Sequence, residues 1–359
     1  MAKSSNRMYR KKSVILVTGG AGFIGSHFVK YIIKKTKNYL INLDKLTYSG
    51  DKKNIDEVFN DNRHKFIKGD ISNKKLIKFI LKKYKPSYII NFAAETHVDN
   101  SIKNSNPFIK TNIVGTFNLL ECSKSYWDNL NKNKKKKFKF LQISTDEVYG
   151  QLKKKEKKFD EKNKYDPSSP YSASKASADH LVRAFFKTYD FPINITNCSN
   201  NYGPNQHKEK LIPLTISKII KNKKIPVYGN GQQIRDWLFV EDHVEAIWKV
   251  AKKGKLGETY LIGGNNEMKN ISIVKLITNL MDLYYPSKKK NYSYENLISF
   301  VKDRLGHDFR YAINSKKIQS EINWKPKYKF KDGLKKTILW FLNDFKKKKM
   351  KKNQNLQFC

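Results

Sequence analysis

Short apolar runs alternate with longer amphipathic stretches through the first half of the chain. Helical patterns lie between the runs, beginning with 24–35. Alternation of strands and helices predicts a parallel sheet wrapped by helices, with crossovers of one hand. We therefore expect an α/β fold built on a doubly wound parallel sheet. The runs that have the length and apolar content of buried strands are 14–17, 39–43, 65–68, 88–92, 139–144 and 193–197.

The pattern changes from about residue 205, where prolines, turns and short segments dominate. Helices are predicted there over 270–284 and near 333–345, and no further large sheet is indicated. These features predict a smaller second α/β domain. The boundaries that we expect are 13–202 with about 232–264 for the first domain, about 203–231 with 265–340 for the second, and basic tails at 1–12 and 341–359.

Lysine supplies almost all of the positive charge. Lys and Arg together number 73 against 32 Asp and Glu, a net charge of +41, and only seven of the basic residues are Arg. Nucleic-acid-binding proteins favour Arg, whose planar guanidinium suits bidentate contacts to bases and phosphates. We therefore expect no specific nucleic-acid partner and interpret the lysine clusters as loops or tails. The four clusters are 132–139, 153–158, 288–290 and 346–352.

The cysteines and the apolar segments bear on where the protein works. Cys122, Cys198 and Cys359 form no CxxC pair and no metal-ligand spacing, which predicts a reducing compartment and no metal site. No apolar run approaches the roughly 18 residues of a membrane span. The apolar stretch 14–17 is too short for a signal peptide. We expect a soluble cytoplasmic protein that makes no contact with a membrane.

A glycine-rich turn follows the first predicted strand and opens the first predicted helix. Gly19, Gly22 and Gly25 suit a tight turn, close approach to a pyrophosphate, and helix–sheet packing. Asp44 ends the second strand, where its carboxylate accepts from a ribose 2′-OH and repels a 2′-phosphate. The spacing therefore predicts NAD rather than NADP on a Rossmann-like sheet. The alternative is a glycine-rich turn with a surface Asp.

Two later strands also end in polar residues, at the sheet edge where ligands bind. The third strand ends in 69–71 and the fourth in 92–96. Asp70 is a candidate partner of the adenine amino group. On sequence alone, an N-cap role before a helix over 72–81 explains this residue almost as well.

Tyr171 and Lys175 lie four residues apart and share one face of a predicted helix. A nearby ammonium group favours a phenolate and lowers the pKa of a tyrosine. The pair therefore predicts that Tyr171 acts as a base at neutral pH. A Tyr-x-x-x-Lys spacing is common and by itself indicates a surface pair. Its place behind a dinucleotide-binding turn favours the catalytic interpretation.

Thr145, Asp146 and Glu147 close the fifth predicted strand at the same sheet edge. The Thr145 hydroxyl can hold a substrate oxygen near Tyr171. Two carboxyl groups in different surroundings can divide into an acid and a base. The alternative is a pair of helix-capping or loop acids.

Taken together, the motifs resemble the extended short-chain dehydrogenase/reductases, and within that family the nucleotide-sugar 4,6-dehydratases. The resemblance covers about 13–340 in order. Related 4-epimerases and UDP-glucuronate decarboxylases lack the adjacent Asp–Glu pair, so that pair discriminates best. The segments that carry the resemblance are 18–25, 144–150, 171–175, 197–204, 209–213, 226–229, 235–243, 303–312 and 324–326.

The resemblance implies a reaction on dTDP-glucose that yields a 4-keto-6-deoxy sugar nucleotide and water and regenerates NAD. Tyr171 removes the O4 proton while the C4 hydride passes to NAD⁺, and Lys175 holds the nicotinamide ribose. Thr145 hydrogen-bonds O4. Glu147 removes the C5 proton, Asp146 protonates the departing C6 hydroxyl, and the hydride returns to C6.

The resemblance also implies two sets of binding residues. The second domain is expected to hold the nucleotide, with Arg235 as a bidentate phosphate clamp, or alternatively in an ion pair with Asp236 or Glu241. The implied cofactor-binding residues are Gly19, Gly22, Phe23, Ile24, Gly25, Asp44, Lys45, Leu46, Thr47, Asp70, Ile71, Phe92, Ala93, Ala94, Thr111, Tyr171, Lys175 and Asn201. The implied substrate-binding residues are Thr96, Thr145, Asn200, Lys210, Leu211, Pro226, Tyr228, Arg235, Asn270, Asp303 and His307.

Subunit pairing in the family implies a homodimer formed by helices near 108–124 and 172–189. Leu305 replaces a Pro usual in its loop, and 205–208 is a variable stretch.

Two alternatives stay open at this point. One is an enzyme of the same fold that acts on UDP-glucose or catalyses epimerisation. The other is a non-catalytic, basic nucleic-acid-binding protein.

Overall fold

A computed structural model describes residues 13–356, with side chains through residue 350. The predicted basic tail at 1–12 lies outside the described residues. The strands are β1 Val14–Thr18, β2 Tyr39–Asp44, β3 His64–Lys68, β4 Tyr88–Asn91, β5 Lys139–Thr145, β6 Ile193–Cys198, β7 Asn200–Tyr202, β8 Ile225–Tyr228, β9 Ile234–Phe239, β10 Thr259–Ile262, β11 Glu267–Lys269, β12 Ile298–Val301 and β13 Arg310–Tyr311.

Helices connect most of these strands. The α-helices are α1 Phe23–Lys35, α2 Asp56–Phe59, α3 Lys74–Tyr84, α4 Val98–Lys103, α5 Asn106–Phe108, α6 Thr116–Asp128, α7 Lys132–Lys137, α8 Pro170–Tyr189, α9 Leu211–Ile220, α10 Val240–Lys253, α11 Asn270–Tyr284, α12 Lys316–Ile322 and α13 Phe330–Leu356. A π-helical segment, Ile109–Gly115, joins α5 to α6. The 3₁₀ turns are Lys52–Ile55, Asp146–Tyr149 and Tyr294–Leu297.

The large sheet has seven parallel strands in the order β10-β6-β5-β4-β1-β2-β3. From β1 the chain moves outward through β2 and β3, returns to β4 on the other side, and continues through β5 and β6. This reversal is a topological switch point, where open α/β sheets bind their ligands. The α/β, doubly wound fold class predicted from the sequence is confirmed.

Both faces of the sheet are covered, which explains why its inner strands carry apolar residues on both faces. Every residue of β1 and β2 is buried. On one face Ile15 packs with residues of α1 and α10, and on the other Leu16 packs with residues of α3 and α6. The seventh strand, β10, carries no alternating pattern and was not predicted as a strand, although it falls in the segment 232–264 assigned to the first domain.

The second region contains only small sheets, as the change of pattern near residue 205 predicts. One sheet has the order β11-β9-β13 with β7 paired to β9, and another joins β12 to β8. Strand β9 lies within the segment 232–264 but pairs here rather than in the large sheet. Helices α9, α11 and α13 bury their apolar faces against these strands.

Helix α13 corrects the predicted basic tail at 341–359, because residues 341–356 continue a helix that begins at Phe330. Phe330, Leu334, Ile338 and Leu342 recur every four residues and are buried in the second core. Lysine has good helix propensity, so the anchored helix extends through the exposed lysine-rich end. Among residues 13–356 no helix combines the length and apolarity needed to cross a membrane.

We expect Ile338→Ala to lower the free energy of unfolding by about 2–5 kcal/mol, because it removes a fully buried side chain from the second core. Urea denaturation followed by circular dichroism measures the change. Lys347→Ala, on the exposed end of the same helix, is the control and should alter stability by less than about 0.5 kcal/mol. Equal stability of the two variants would contradict the packing described for α13.

Candidate active site

One cleft runs along the carboxyl ends of the large sheet and meets the second region at its far side. Its position is the switch point between β1 and β4, where polar strand ends converge. The predicted site residues that line it are Gly19, Gly22, Phe23, Ile24, Gly25, Asp44, Lys45, Thr47, Asp70, Ile71, Phe92, Ala93, Ala94, Thr96, Thr111, Thr145, Asp146, Glu147, Tyr171, Lys175, Asn200, Asn201 and Lys210.

Eight predicted site residues do not line this cleft. Leu46 has a left-handed backbone conformation, and its N–H donates to the Asp44 carboxylate at 2.7 Å. The other seven belong to the second region, on or beside its helices and small sheets. They are Leu211, Pro226, Tyr228, Arg235, Asn270, Asp303 and His307.

The glycine turn forms a cradle at the start of α1. Gly19 has φ +71°, and a Cβ on Gly25 would lie 2.2 Å from the Gly19 carbonyl oxygen, so both positions require glycine. A Cβ on Gly22 would meet only that oxygen, at 3.4 Å, and would otherwise fill open space in the cleft. No side chain caps the first turn of α1. Its N–H groups can therefore receive an anion such as a pyrophosphate.

Asp44 links the turn to the second strand. Its carboxylate accepts from the N–H of Ala21 at 2.8 Å and from that of Leu46 at 2.7 Å. Burial raises its pKa, and these two hydrogen bonds partly oppose the rise. Each carboxylate oxygen has a second lone pair, which leaves acceptor capacity for a ribose hydroxyl.

Asp70 lies beside Asp44 at the cofactor end of the cleft. Lys45 forms an ion pair with it at 2.7 Å, and the N–H of Ser72 donates to it at 2.8 Å. Burial raises the pKa of Asp70, but the hydrogen bonds with Lys45 and Ser72 lower it by more, so the pKa lies below its usual value. The N-cap of α3 is Asn73, so the N-cap alternative for Asp70 is wrong.

Asp146 and Glu147 both face the cleft because a 3₁₀ turn begins immediately after Thr145. The Thr145 hydroxyl donates to Asp146 Oδ1 at 3.4 Å and accepts from the N–H of Glu147 at 3.3 Å. Burial and the neighbouring Glu147 raise the pKa of Asp146 well above its usual range. Burial also raises the pKa of Glu147, but Lys210, Arg304 and Arg235 oppose that rise.

Tyr171 and Lys175 lie in the first half of α8, which begins with a capping box between Ser169 and Ser172. Both side chains are buried. Lys175 Nζ donates to the carbonyl of Ile143 at 2.7 Å. Burial lowers the pKa of Lys175, and Asp179 opposes the change.

The predicted effect of Lys175 on Tyr171 is corrected by this geometry. Burial and the nearby Glu147 raise the pKa of Tyr171 well above 10, whereas a hydrogen bond with Thr145 lowers it. The ammonium group of Lys175 is directed at a backbone carbonyl. A positive charge placed beside the phenol would favour the phenolate.

Arg235 is buried rather than open to the cleft. Its guanidinium donates to the carbonyls of Ile234 and Asp308, each at 2.8 Å, and stacks on the ring of Tyr311. Neither of the ion pairs considered as an alternative, with Asp236 or Glu241, is formed. The contacts of Arg235 with Asp308 and Tyr311 join β9 to the segment around β13.

Three of the predicted substrate residues of the second region, Tyr228, Asp303 and His307, form a group. His307 Nδ1 and Asp303 Oδ1 are 2.6 Å apart, and the rings of His307 and Tyr228 meet edge to face. Tyr228 donates to Asp99 at 3.4 Å, and Arg304 lies 3.7 Å from the same carboxylate. These contacts join the second region to α4.

Other cleft residues were not predicted. Glu209 lies between two imidazoles, 3.3 Å from His97 Nε2 and 3.1 Å from His207 Nδ1. Arg304 does not line the cleft, but its charge opposes the rise in the pKa of Glu147. Arginine is rare in this chain, and this rarity, which singled out Arg235 in the sequence, could equally have singled out Arg304. Further unpredicted residues of the lining are Ser49, Glu95, Ser144, Cys198, Ser199 and Gln206.

Within the described residues, no group of three His, Cys, Asp or Glu side chains could hold a metal ion. Cys122 and Cys198 are free thiols, and both are buried. The chemistry of the cleft is therefore that of two carboxyl groups, a phenol, a hydroxyl and an ammonium group beside a dinucleotide cradle.

Comparison with known proteins extends this description. A family model described as GDP-mannose 4,6 dehydratase matches residues 16–337. The chain is 52% identical over 329 residues to the dTDP-glucose 4,6-dehydratase of Haemophilus influenzae, an alignment that covers 91% of this chain and 97% of that protein. These matches confirm the resemblance indicated by the sequence motifs.

Two solved structures are similar over nearly the whole chain. The dTDP-glucose 4,6-dehydratase of Bacillus anthracis in complex with NAD aligns with a TM-score of 0.81 and 44% identity, covering 92% of this chain and 97% of that one. The Streptomyces venezuelae dTDP-glucose 4,6-dehydratase DesIV, with NAD and TYD bound, aligns with a TM-score of 0.83 and 37% identity over the same shares of the two chains.

We expect Gly22→Ala to weaken NAD binding by at least about tenfold without lowering the melting temperature, because its methyl group projects into the cleft. Calorimetric titration of NAD into dinucleotide-stripped protein measures the affinity. Gly25→Ala is the matched comparison and should destabilise the fold by about 1–3 kcal/mol, since its Cβ meets backbone. Unchanged NAD affinity in Gly22→Ala would place the pyrophosphate elsewhere.

Proposed function

We propose a function from the premise that this chain belongs to the GDP-mannose 4,6-dehydratase family. It converts dTDP-glucose to dTDP-4-keto-6-deoxyglucose and water, using NAD that is regenerated in each turnover. The observation that carries the proposal is that Asp146, which is buried, and Glu147, which is partly buried, line one cleft with Tyr171. Epimerisation at C4 includes no elimination of water, so it does not require the acid and base that Asp146 and Glu147 provide.

The cofactor fits the cradle that the chain provides. Gly19, Gly22 and the start of α1 receive the pyrophosphate, Asp44 accepts from the ribose, and Asp70 lies at the adenine end. When bound, NAD accepts a hydride from C4 and returns it to C6, and its oxidised ring supplies the positive charge that the buried phenol lacks. Neighbouring 4,6-dehydratases crystallised with NAD support this assignment.

Oxidation at C4 depends on proton removal from O4. Tyr171 accepts this proton as a phenolate, and Thr145 orients O4 through its hydroxyl. Lys175 is held by the Ile143 carbonyl and positions the nicotinamide ribose. The resulting 4-ketone acidifies the hydrogen on C5, so oxidation precedes elimination.

Elimination of water uses the two carboxyl groups in different protonation states. A C6 hydroxyl is a poor leaving group, so it must be protonated as it departs, and Asp146 is kept neutral by burial for this purpose. Glu147 removes the C5 proton. Lys210, Arg304 and Arg235 favour its charged form, which a base requires.

The same cations suit the diphosphate of the substrate. Lys210 lines the cleft with Thr96 and Asn200. Arg304 and Tyr228 both contact Asp99. Arg235 reaches the diphosphate only if its guanidinium exchanges carbonyl contacts for phosphate contacts. We assign nucleotide binding to this group of residues.

We also propose that the enzyme is a homodimer. Apolar side chains remain more than one-third exposed along the π-helical segment and α6, and at the end of α8: Ile109, Val114, Phe117 and Tyr189. Exposed apolar patches of this kind mark subunit interfaces. The predicted pairing segments near 108–124 and 172–189 coincide with these helices.

The cytoplasm is the compartment that we assign to this reaction. The three cysteines are scattered in the sequence, and two of them are buried free thiols. A reducing compartment keeps such thiols unpaired.

The function is tested by incubating the protein with dTDP-glucose and, separately, UDP-glucose, and measuring the 4-keto product. Turnover of dTDP-glucose is expected to exceed that of UDP-glucose, and the reverse would identify a UDP-glucose 4,6-dehydratase. In Glu147→Gln, reduced nicotinamide should still form on addition of substrate, while product formation falls by about 10²–10⁴-fold. Glu156→Gln, at an exposed loop position, is the control. Full turnover by Glu147→Gln would refute the assigned role.

Val114→Asp is expected to shift the protein from dimer to monomer, because it buries a charge at the proposed interface. Light scattering after size-exclusion chromatography measures the mass. Leu283→Asp, at an apolar and more exposed position on α11, should leave the dimer intact. A dimer that survives Val114→Asp would exclude this face as the interface.

A further inference from the structure

We propose that the Thr145 hydroxyl returns a proton from Tyr171 to Asp146 after each turnover, so that the active site is reset internally. The inference rests on the proposed function, because the proton balance of that reaction creates the need for it. It gives Thr145 a catalytic task beyond holding the sugar oxygen.

The proton balance follows from the bonds that form and break. Oxidation transfers the C4 hydride to NAD⁺ and the O4 proton to Tyr171, leaving a C4 carbonyl. Elimination moves the C5 proton to Glu147, and the C6–O bond breaks as Asp146 gives its proton to the departing oxygen, forming water. The hydride then adds to C6 and Glu147 returns its proton to C5.

Two groups do not recover their starting protonation in these steps. NAD⁺ and Glu147 are both regenerated, but Tyr171 ends with one proton more and Asp146 with one proton fewer. The overall reaction neither consumes nor releases a proton. One proton must therefore travel from the phenol to the carboxylate before the next substrate can react.

Thr145 lies between the two groups that must exchange this proton. Its hydroxyl donates to Asp146 Oδ1 at 3.4 Å and accepts from the N–H of Glu147 at 3.3 Å. The same side chain lowers the pKa of Tyr171, as a hydroxyl that can donate to the phenolate does. A hydroxyl has one donor and two acceptor sites. While Tyr171 is a phenolate it can accept the Thr145 proton. Once Tyr171 has taken the O4 proton, its O–H and the Glu147 N–H can fill the two acceptor sites of Thr145, and the hydroxyl proton then faces Asp146.

A concerted shift along this chain completes the reset. The Thr145 proton moves to Asp146 Oδ1 as the Tyr171 proton moves to the Thr145 oxygen, which leaves Thr145 unchanged. Asp146 Oδ2 is buried and has no hydrogen-bond partner among the described residues, so it remains free to face the C6 hydroxyl.

A second route from the site toward solvent is interrupted. Behind Lys175, Asp179 accepts from Tyr165 at 3.1 Å, and Tyr165 accepts from Arg183 at 2.6 Å at the floor of a surface pocket. Lys175 Nζ, however, donates to the Ile143 carbonyl, which carries no proton to pass on. Tyr171 and Asp146 are themselves only 7% and 2% exposed, which limits direct exchange with water.

The test is a rapid-quench time course with substrate in excess over NAD-loaded Thr145→Val enzyme. This variant keeps the side-chain shape and removes the hydroxyl. It should release about one equivalent of 4-keto product per site and then slow by at least tenfold. Imidazole buffer should raise the rate of the slow phase without changing the rate of the initial phase. Thr145→Ser, which keeps the hydroxyl, should give a linear time course, as should Thr337→Val, a buried threonine far from the site.

A linear time course in Thr145→Val, with equal first-turnover and steady-state rates, would overturn the proposal. A burst in Asp179→Asn with none in Thr145→Val would also overturn it and place the return route behind Lys175. The proposal would also be overturned if the kcat of the wild-type enzyme rose with imidazole concentration, or if Thr145→Ser showed a burst. Failure of the proposed function is distinct, because wild-type enzyme would then form no 4-keto product from dTDP-glucose.

Discussion

Removal of water from ionisable groups at the carboxyl edge of the large sheet is the constraint on which the site depends. Strands β1, β4 and β5 end side by side at the switch point, and helices cover both faces of the sheet. Polar residues at these strand ends therefore meet in a cleft with apolar walls. Burial there is the largest influence on the pKa of Asp146, Glu147, Tyr171 and Lys175.

Burial acts in the same direction on both carboxyl groups, so it cannot by itself divide them into an acid and a base. The division comes from their neighbours. The acidic neighbours Glu147 and Asp236 add to the rise in the pKa of Asp146, and Arg235 opposes it. Glu147 faces cations supplied largely by the second region, and these oppose the rise. The second region thus helps to set the chemistry of a site that is built mainly on the first.

Apolar side chains pack between the two regions, and charged and aromatic contacts join them beside the cleft. Glu209 is held between His97 and His207, and Asp99 contacts both Arg304 and Tyr228. These pairs connect segments more than a hundred residues apart in most cases, on loops with no regular hydrophobic period. They lie around the cleft rather than within either core, which suits a site that must admit and release a large ligand.

The sequence alone determined six of the seven strands of the large sheet, the glycine cradle, Asp44 and the Tyr171–Lys175 and Asp146–Glu147 pairs, because periodicity and short motifs encode local structure. Strand β10 was not predicted because its four residues are all buried and therefore show no alternation of apolar and polar positions. Only the tertiary structure decided that Arg235 is held by backbone carbonyls and that burial raises the pKa of Tyr171. Both depend on groups distant in sequence, and desolvation belongs to the assembled cleft rather than to any residue in it.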